Sequence, residues 1–284
     1  MRTFIINPIS GTQNKNKIVK LIKHHFLNDE IVYTKYKGHA TLLTKEALNK
    51  KRNSVIAVGG DGTVSECASK LIGTKTKLGI IPAGSGNGFA LHFKISTIPK
   101  HAIKQLETAK IVQIDSCSVN NKSFVNVSGI GFDAHISNLF SRLKKRGFLN
   151  YIKLTLKELM YKPQKYTIYY QGKKKEIIAF AIVFANASQY GNGARISPKS
   201  ITNDGLIDFV IIKKFPNWKI PFFINTVLQG KTHLSKHVKI IRTKEMKIYS
   251  TNPLVHLDGE PELLKTPLHI KINKKNLNLL IPNE

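Results

Sequence analysis

The first 116 residues alternate short apolar runs with stretches of helical spacing. Residues 3–7 read as a buried strand, and a loop over 8–14 leads into a segment with Ile18, Leu21, Ile22 and Phe26 on one face. A second strand at 31–34 precedes a helical pattern carrying Ala40, Leu43, Ala47 and Leu48. The β-branched run 54–58 ends in Gly59-Gly60-Asp61-Gly62-Thr63, and helical spacing resumes over 64–71. A fourth strand, 77–81, runs into Pro82-Ala83-Gly84-Ser85-Gly86-Asn87-Gly88. Strand and helix alternating in this way predict a mostly parallel sheet covered by helices.

After about Asp115 the pattern becomes β-rich. Residues 122–127, 166–171, 177–184, 205–212, 238–241, 246–250 and 268–272 read as strands joined by turns. The main helical interruption, 148–160, places Leu149, Ile152, Leu156, Leu159 and Met160 on one face, with Lys153 and Lys157 elsewhere. Neither an internal repeat nor a low-complexity linker separates the two parts.

Composition adds a constraint that the pattern does not contain. The 284 residues carry 45 Lys plus Arg against 17 Asp plus Glu, a net charge of +28. Charged residues are 22% and hydrophobic ones 42%, so the surplus comes from missing acids rather than from a disordered basic tail. A surplus of this size calls for an anionic partner: nucleic acid, an anionic membrane surface or a polyphosphate ligand. Residues 1–116 hold 18 basic and 7 acidic groups and the remainder 27 and 10, so neither half owns the charge. One window, 142–175, holds eleven Lys or Arg, among them Lys144, Lys145 and Arg146, against the single acid Glu158. It contains the amphipathic helix. Its basic flanks suit an anionic bilayer, and a solvated face with its apolar side packed on the sheet explains it equally well.

Several classes fall away. The longest apolar run, 177–185, is nine residues, far short of the ~20 that span a bilayer. Residues 1–10 lack an apolar signal core and a cleavage site, so a cytoplasmic location is expected. Cys67 and Cys117 have no partner at metal-ligand spacing and read as structural thiols.

Eight of the 19 glycines lie between Gly59 and Gly88, six of them in two clusters that each follow a strand. Glycine lets the backbone approach an anion without a Cβ in the way, and a helix start beyond it offers free N–H groups. Two such loops on successive parallel strands predict a phosphate cradle at the carboxyl edge of the sheet.

Asn7-Pro8-Ile9-Ser10-Gly11, then Gly59 to Thr63 with Glu66 one turn on, then Pro82 to Asn87, resemble the three amino-terminal motifs of the diacylglycerol kinase and sphingosine kinase catalytic-domain family. The likeness continues through Gly131-Phe132-Asp133-Ala134, Asp204-Gly205-Leu206-Ile207-Asp208 and Leu257-Asp258-Gly259-Glu260, and is greatest to the soluble bacterial lipid kinases of the family. It implies an α/β fold of two domains. The first is a Rossmann-like nucleotide-binding domain of the phosphofructokinase and NAD kinase type over residues 1–116. The second is a β-sandwich holding lipid acceptor and metal over 117–272, with residues 273–284 available to return to the first.

The resemblance further implies an ATP-dependent, magnesium-dependent lipid kinase, held peripherally at an anionic membrane, whose acceptor is diacylglycerol-like or sphingoid- or ceramide-like. The nucleotide would be held by Asn7, Pro8, Ile9, Ser10 and Gly11, by Thr34, by Gly60, Asp61, Gly62, Thr63, Val64, Ser65 and Glu66, and by Ser85. Glu260 would be the general base, with Asp61 placed among the phosphates. Asp204 and the carbonyls of Ile201 and Leu206 would hold magnesium, an oxygen-rich set suited to that ion.

Simpler readings stand beside these. Asp258-Gly259 and Asp204-Gly205 are plausible turns, and Asp115 and Asp133 serve equally as turn or cap residues or as members of an acidic network near the metal. His24, His25, His92 and His256 read as surface or core fillers. Two departures from the family pattern bear on the substrate: Gly88 replaces an acidic residue after Asn87, and Thr12 replaces a basic residue after Gly11, leaving Lys15 or Lys17 to reach back to the phosphates. The competing classes are an NAD kinase-like small-molecule kinase, which shares the Gly-Gly-Asp-Gly signature, and a non-enzymatic module binding membrane or nucleic acid. No basic stretch with interleaved aromatics marks a strand-stacking surface, so a nucleic-acid partner is not expected. The oligomeric state is left open.

Overall fold

A computed structural model describes residues 1–143, 147–158 and 160–283. The chain divides into two units, Met1–Ile114 with Lys275–Glu284, and Asp115–Lys274.

In the first unit the elements are β1 (Arg2–Ile6), α1 (Lys15–His25), β2 (Glu30–Tyr33), α2 (His39–Asn49), β3 (Ser54–Gly59), α3 (Asp61–Leu71), β4 (Lys77–Pro82), α4 (Gly88–His92) and α5 (Pro99–Glu107). Strand β5 (Lys110–Val119) then leads into the second unit. β1 pairs in parallel with β2 and β3, and β3 with β4. The sheet order β2-β1-β3-β4, parallel throughout, bears out the expected parallel sheet. All six residues of β3 are buried, which is why its sequence is an unbroken apolar run rather than an alternating one. α1 starts where the Asn14 side chain accepts the Lys17 N–H, and it buries Ile18 and Ile22. Lys23, His24 and His25 occupy its last turn, where positive charge suits the helix dipole.

The second unit contains β6 (Lys122–Phe124), β7 (Val127–Gly131), α6 (Phe132–Ser141), α7 (Phe148–Lys157), β8 (Gln164–Tyr170), β9 (Lys173–Ala179), β10 (Ala181–Ala185), β11 (Ile207–Ile212), α8 (Ile220–Leu228), β12 (Val238–Thr243), β13 (Glu245–Ser250), β14 (Leu254–Leu257), β15 (Glu260–Leu263) and the first half of β16 (Leu268–Ile281), whose residues from Lys275 on belong to the first unit. One sheet runs β12-β11-β10-β7-β14-β15, and in the other β16, β13, β8 and β9 are antiparallel neighbours. Ile130, Ile182, Phe184, Phe209 and Val255 of the first meet Ile168, Met246, Ile248, Leu268 and Ile270 of the second in one core. The intervening positions Ala181, Val183, Val210 and Ile212 face a second core with Phe215 and Ile220. Both faces of β10 and β11 are therefore covered.

Several elements differ from the sequence reading. The run 177–184 is not one strand. It divides at Phe180, whose N–H donates to Ile212 O (2.8 Å) and whose carbonyl accepts the Phe132 N–H (2.9 Å), so β9 and β10 serve different sheets. The run 122–127 breaks at Val125 and Asn126, whose N–H groups turn to the Asp258 carboxylate. The final strand, read as 268–272, continues to Ile281: its buried positions pass from Leu268 and Ile270 to Leu277 and Leu279, so the alternation changes parity, and Lys275, with φ +47°, lies in the intervening stretch. Helices α6 and α8 interrupt a half read as having one helix. α7 ends at Lys157, Met160 is 81% exposed, and Leu159 with Lys144, Lys145 and Arg146 lies outside the described residues.

Candidate active site

Three loops meet at the carboxyl ends of β1, β3 and β4. Gly11 holds φ +55°, and a Cβ there would collide with the Ala83 carbonyl. A Cβ on Gly84 would strike Gly60 Cα, and one on Gly60 would come within 3.1 Å of Gly84 Cα. The loops are thus packed backbone against backbone, and no side chain could be inserted without separating them.

Side chains lock each loop. Asn7 Nδ2 donates to Thr63 Oγ1 (3.1 Å), tying the first motif to the second, while its Oδ1 accepts the Ile9 N–H (3.1 Å). The Ser10 hydroxyl donates to Asn7 O (3.0 Å). Lys15 reaches back, as Thr12 at the usual basic position requires: its Nζ donates to the carbonyls of Ser10 and Gln13. Burial lowers the Lys15 pKa from the ordinary lysine value. Lys17 instead gives its backbone N–H to the Asn14 cap. Asn87 closes the third loop on itself, Oδ1 accepting the Gly84 N–H (3.0 Å) and Nδ2 donating to Gly84 O (2.9 Å).

α3 begins earlier than its sequence spacing indicates, so Asp61, Gly62 and Thr63 form its first turn. Its N-cap, Gly60, has no side chain to cover the free N–H groups. Asp61 Oδ1 accepts the Phe89 N–H (3.2 Å) and links the second loop to α4. Glu66 holds the other end of the cradle: Oε1 accepts the Gly38 N–H (2.9 Å) and Oε2 the Ala40 N–H (3.1 Å), capping α2 just beyond Thr34. Thr34 is buried, and its N–H donates to Ile6 O (2.9 Å). Pro8 and Ile9 are exposed at the loop rim, as is Ser85, and Val64 is buried under α3.

In the second unit Glu260 opens β15, immediately after a turn in which Asp258 and Gly259 both have positive φ. The Asp258 carboxylate accepts the Val125 and Asn126 N–H groups at 3.0 and 2.8 Å. His256 is buried, and it is no filler: Nε2 lies 2.8 Å from Asp133 Oδ2, and Nδ1 accepts the Gly259 N–H at 3.1 Å. Tyr190 donates its hydroxyl to the same Asp133 oxygen (2.8 Å), and burial first, then the Asp133 charge, raises the Tyr190 pKa well above its usual value. The Ser137 hydroxyl on α6 also donates to the Gly259 carbonyl. Sequence reasoning missed His256 and Tyr190. The spacing of Asp133, Ala134, Ile136 and Ser137 is the signal that could have shown α6 and its inward face.

Beside Asp133 lies an apolar cavity of about 160 Å³ with an open mouth. Ile136 of α6, Tyr151 and Ile152 of α7, Val183 of β10, and Phe223 and Val227 of α8 are among its walls. Part of the apolar side of α7 is therefore turned toward the cavity, while Leu156 is 42% exposed.

The residues expected to hold magnesium are differently engaged. Asp204 Oδ1 accepts the Leu206 N–H (2.9 Å), and Oδ2 is paired with the Arg242 guanidinium. Arg242 Nε also donates to Asp208 (2.8 Å), which accepts the hydroxyls of Ser197 and Ser200. Ile201 is exposed. Asp115, fully buried, accepts the Gly205 N–H (2.7 Å). Among the described residues no group of His, Cys, Asp and Glu is gathered as metal ligands. A resident ion therefore fits this loop poorly, because a fixed guanidinium already neutralises the one carboxylate offered to it. Both cysteines are buried thiols, and burial pushes that of Cys67 up to about 12.

A parallel sheet with glycine loops gathered at its carboxyl edge around an uncapped helix start is built to hold phosphate, as a phosphotransferase must. Residues 2–119 match the diacylglycerol kinase catalytic domain, and residues 126–281 match the YegS C-terminal NAD kinase beta sandwich-like domain. A probable YegS-like lipid kinase of Klebsiella pneumoniae is 32% identical over 87% of this chain and 84% of its own. The diacylglycerol kinase of Bacillus subtilis is 29% identical over 90% and 88%. A crystal structure of a putative diacylglycerol kinase from Bacillus anthracis shares the fold, with a TM-score of 0.83 at 24% identity over 99% of this chain and 96% of that one. The chain belongs to the family of bacterial diacylglycerol kinases and YegS-like lipid kinases, and it is a kinase. No helix of the described residues is long and apolar enough to cross a membrane.

Proposed function

We propose that this kinase transfers the γ-phosphoryl group of ATP to the hydroxyl of a membrane lipid, diacylglycerol-like or sphingoid-like in form. The mutual packing of Gly11, Gly60 and Gly84 carries the nucleotide half of this reading, because such close loops leave backbone N–H groups as the surface for phosphate. Lys15, bent over the first loop, supplies a cation beside them. Asn7, Ser10, Thr63 and Asp61 keep the loops in register, and Glu66 holds α2 at the nucleotide's far side.

The acceptor half rests on the apolar cavity next to the Asp133 and Tyr190 side chains, a place for a hydrocarbon chain with polar groups at one boundary. Glu260 takes the proton of the lipid hydroxyl as its oxygen bonds to the γ-phosphorus and the bond to ADP breaks. Magnesium bound to the ATP phosphates would neutralise their charge. Asp204 with the Ile201 and Leu206 carbonyls would be the set to hold such an ion, but the Asp204 carboxylate is paired with Arg242. Diacylglycerol is the acceptor we favour, since relatives with that name match most of the chain. The working location is the cytoplasmic face of an anionic membrane.

Transfer of labelled phosphate from ATP is measured over diacylglycerol, sphingoid base, ceramide, phosphatidylglycerol and polyprenol in mixed micelles. Label in one of these lipids, abolished by Glu260→Gln with ATP affinity retained, supports the proposal. Label in none overturns the acceptor, and normal turnover of Glu260→Gln removes that residue from the chemistry. Asp61→Ala is expected to lose nucleotide use.

A further inference from the structure

Between β11 and β13 the chain carries a second basic segment, outside the 142–175 window. Residues 213–241 contain six lysines and no Asp or Glu. α8 lies within it and has two apolar sides. Inward, Ile220, Phe223, Ile224 and Val227 wall the cavity. Outward, Phe222 is 67% exposed, and Trp218, in the short turn before the helix, is 68% exposed. Leu234 beyond the helix is 71% exposed.

The lysines are gathered about these aromatic side chains. Lys219 Nζ lies 5.0 Å from the centre of the Trp218 ring. His237 meets Phe215 in a tilted arrangement with ring centres 5.1 Å apart, and its pKa is lowered by burial first and then by the charges of Lys219, Lys236 and Lys213. Phe215 in turn meets Phe223 at 5.0 Å, so the basic rim and the cavity wall share one aromatic cluster. Two large apolar side chains standing in water, Lys219 over the ring of one of them, on a segment with six lysines and no acid, match a surface that is apolar beneath and anionic above. A protein partner of matching charge would satisfy the lysines and leave no reason for the helix behind them to wall an apolar cavity.

We propose that the outer side of α8 docks on an anionic bilayer, with Trp218 and Phe222 entering the interfacial layer and Lys213, Lys219 and Lys236 on lipid phosphates. The helix that wets one face with lipid thereby walls the acceptor cavity with the other; this last link rests on the lipid-kinase reading.

Trp218 is the single tryptophan of the chain, so its emission reports this face alone. The full chain is titrated with vesicles of equimolar phosphatidylglycerol and phosphatidylcholine, and with phosphatidylcholine alone. A blue shift with the anionic vesicles, quenched when brominated lipid is included and absent with phosphatidylcholine alone, is the expected result. Phe222→Ala is expected to weaken vesicle partition about tenfold, and Lys213→Glu with Lys219→Glu and Lys236→Glu on the order of a hundredfold. Co-sedimentation with anionic vesicles while Trp218 emission stays unchanged places docking elsewhere and overturns the proposal. So does the absence of vesicle binding, or an equal shift with duplex DNA in place of vesicles. Transfer to a water-dispersed short-chain diacylglycerol separates the two readings. Phe222→Ala is expected to leave that transfer unchanged, and wild-type transfer without a Trp218 response keeps the kinase reading while removing this face.

Discussion

The His256 ring is fixed between Asp133 and the turn before Glu260: Nε2 lies 2.8 Å from the Asp133 carboxylate, and Nδ1 accepts the Gly259 N–H at 3.1 Å. An imidazole nitrogen that accepts carries no proton there, which leaves Nε2 to donate to Asp133. Asp133 thereby sets both the tautomer and the tilt of the ring, and the ring sets the Gly259 peptide. His256→Ala is expected to lower kcat about tenfold or more through misplacement of Glu260, with the KM for ATP unchanged because the nucleotide loops belong to the other unit. Steady-state kinetics with each substrate varied checks this. A rise in the ATP KM at unchanged kcat would remove the positioning role.

Asp258 has a different task in the same turn. Its carboxylate accepts two backbone N–H groups at the break between β6 and β7, and it sits at φ +49°. Charge-assisted bonds to otherwise orphaned donors are strong ones. Asp258→Ala is expected to cost about 2 kcal/mol, read as a fall of roughly 4–8 °C in Tm for a unit of this size. Asp258→Asn retains one acceptor oxygen and should fall between the two in a thermal melt.

At the nucleotide edge the loops leave no room for a methyl group. Gly84→Ala would drive its Cβ into the Gly60 backbone, and Gly11→Ala would add a positive φ to a collision with the Ala83 carbonyl. Each is expected to weaken ATP binding at least about tenfold, since the N–H groups of the cradle lose their common focus. Gly73→Ala, at a site with open space around it, is the control: it carries the strain of a positive φ without the collision. Calorimetric titration with ATP on the three variants separates loss of the cradle from general destabilisation.

The phosphate edge was legible in the sequence because its chemistry is local. Strand, glycine cluster and helix start follow one another within a dozen residues, and the motif order does the rest. What was hidden depends on pairing across long separations. Nothing near Asp133 in sequence points to His256, 123 residues away. The run 177–184 is uniformly apolar, so its period gives no hint that it bends at Phe180 and serves two sheets. α8, Ile220–Leu228, escaped for a related reason: it is apolar on nearly every side, facing a cavity inward and presenting Phe222 outward, so no helical stripe stands out. The magnesium expectation for Asp204, Ile201 and Leu206 came from the family likeness, and nothing near that segment in the sequence shows that Arg242, 38 residues further on, pairs with the carboxylate.

That arginine gives the last prediction. Arg242 joins Asp204 and Asp208, and the Asp208 side chain is only 4% exposed, so the guanidinium supplies the charge that a resident cation would otherwise bring. With Arg242 in place, chelation of divalent metal is expected to leave the Tm of the nucleotide-free protein unchanged. Arg242→Ala strands a nearly buried carboxylate, at a cost of about 3 kcal/mol, and frees Asp204. The variant should therefore melt lower in EDTA and regain part of the loss when magnesium is added. Calcium, with its longer and looser oxygen coordination, should substitute at least as well in a loop that also offers the Ile201 and Leu206 carbonyls. A Tm of the unaltered protein that rises by several degrees with magnesium would show the opposite: that Arg242 yields to the ion, and that the loop is a metal site as the family likeness implied.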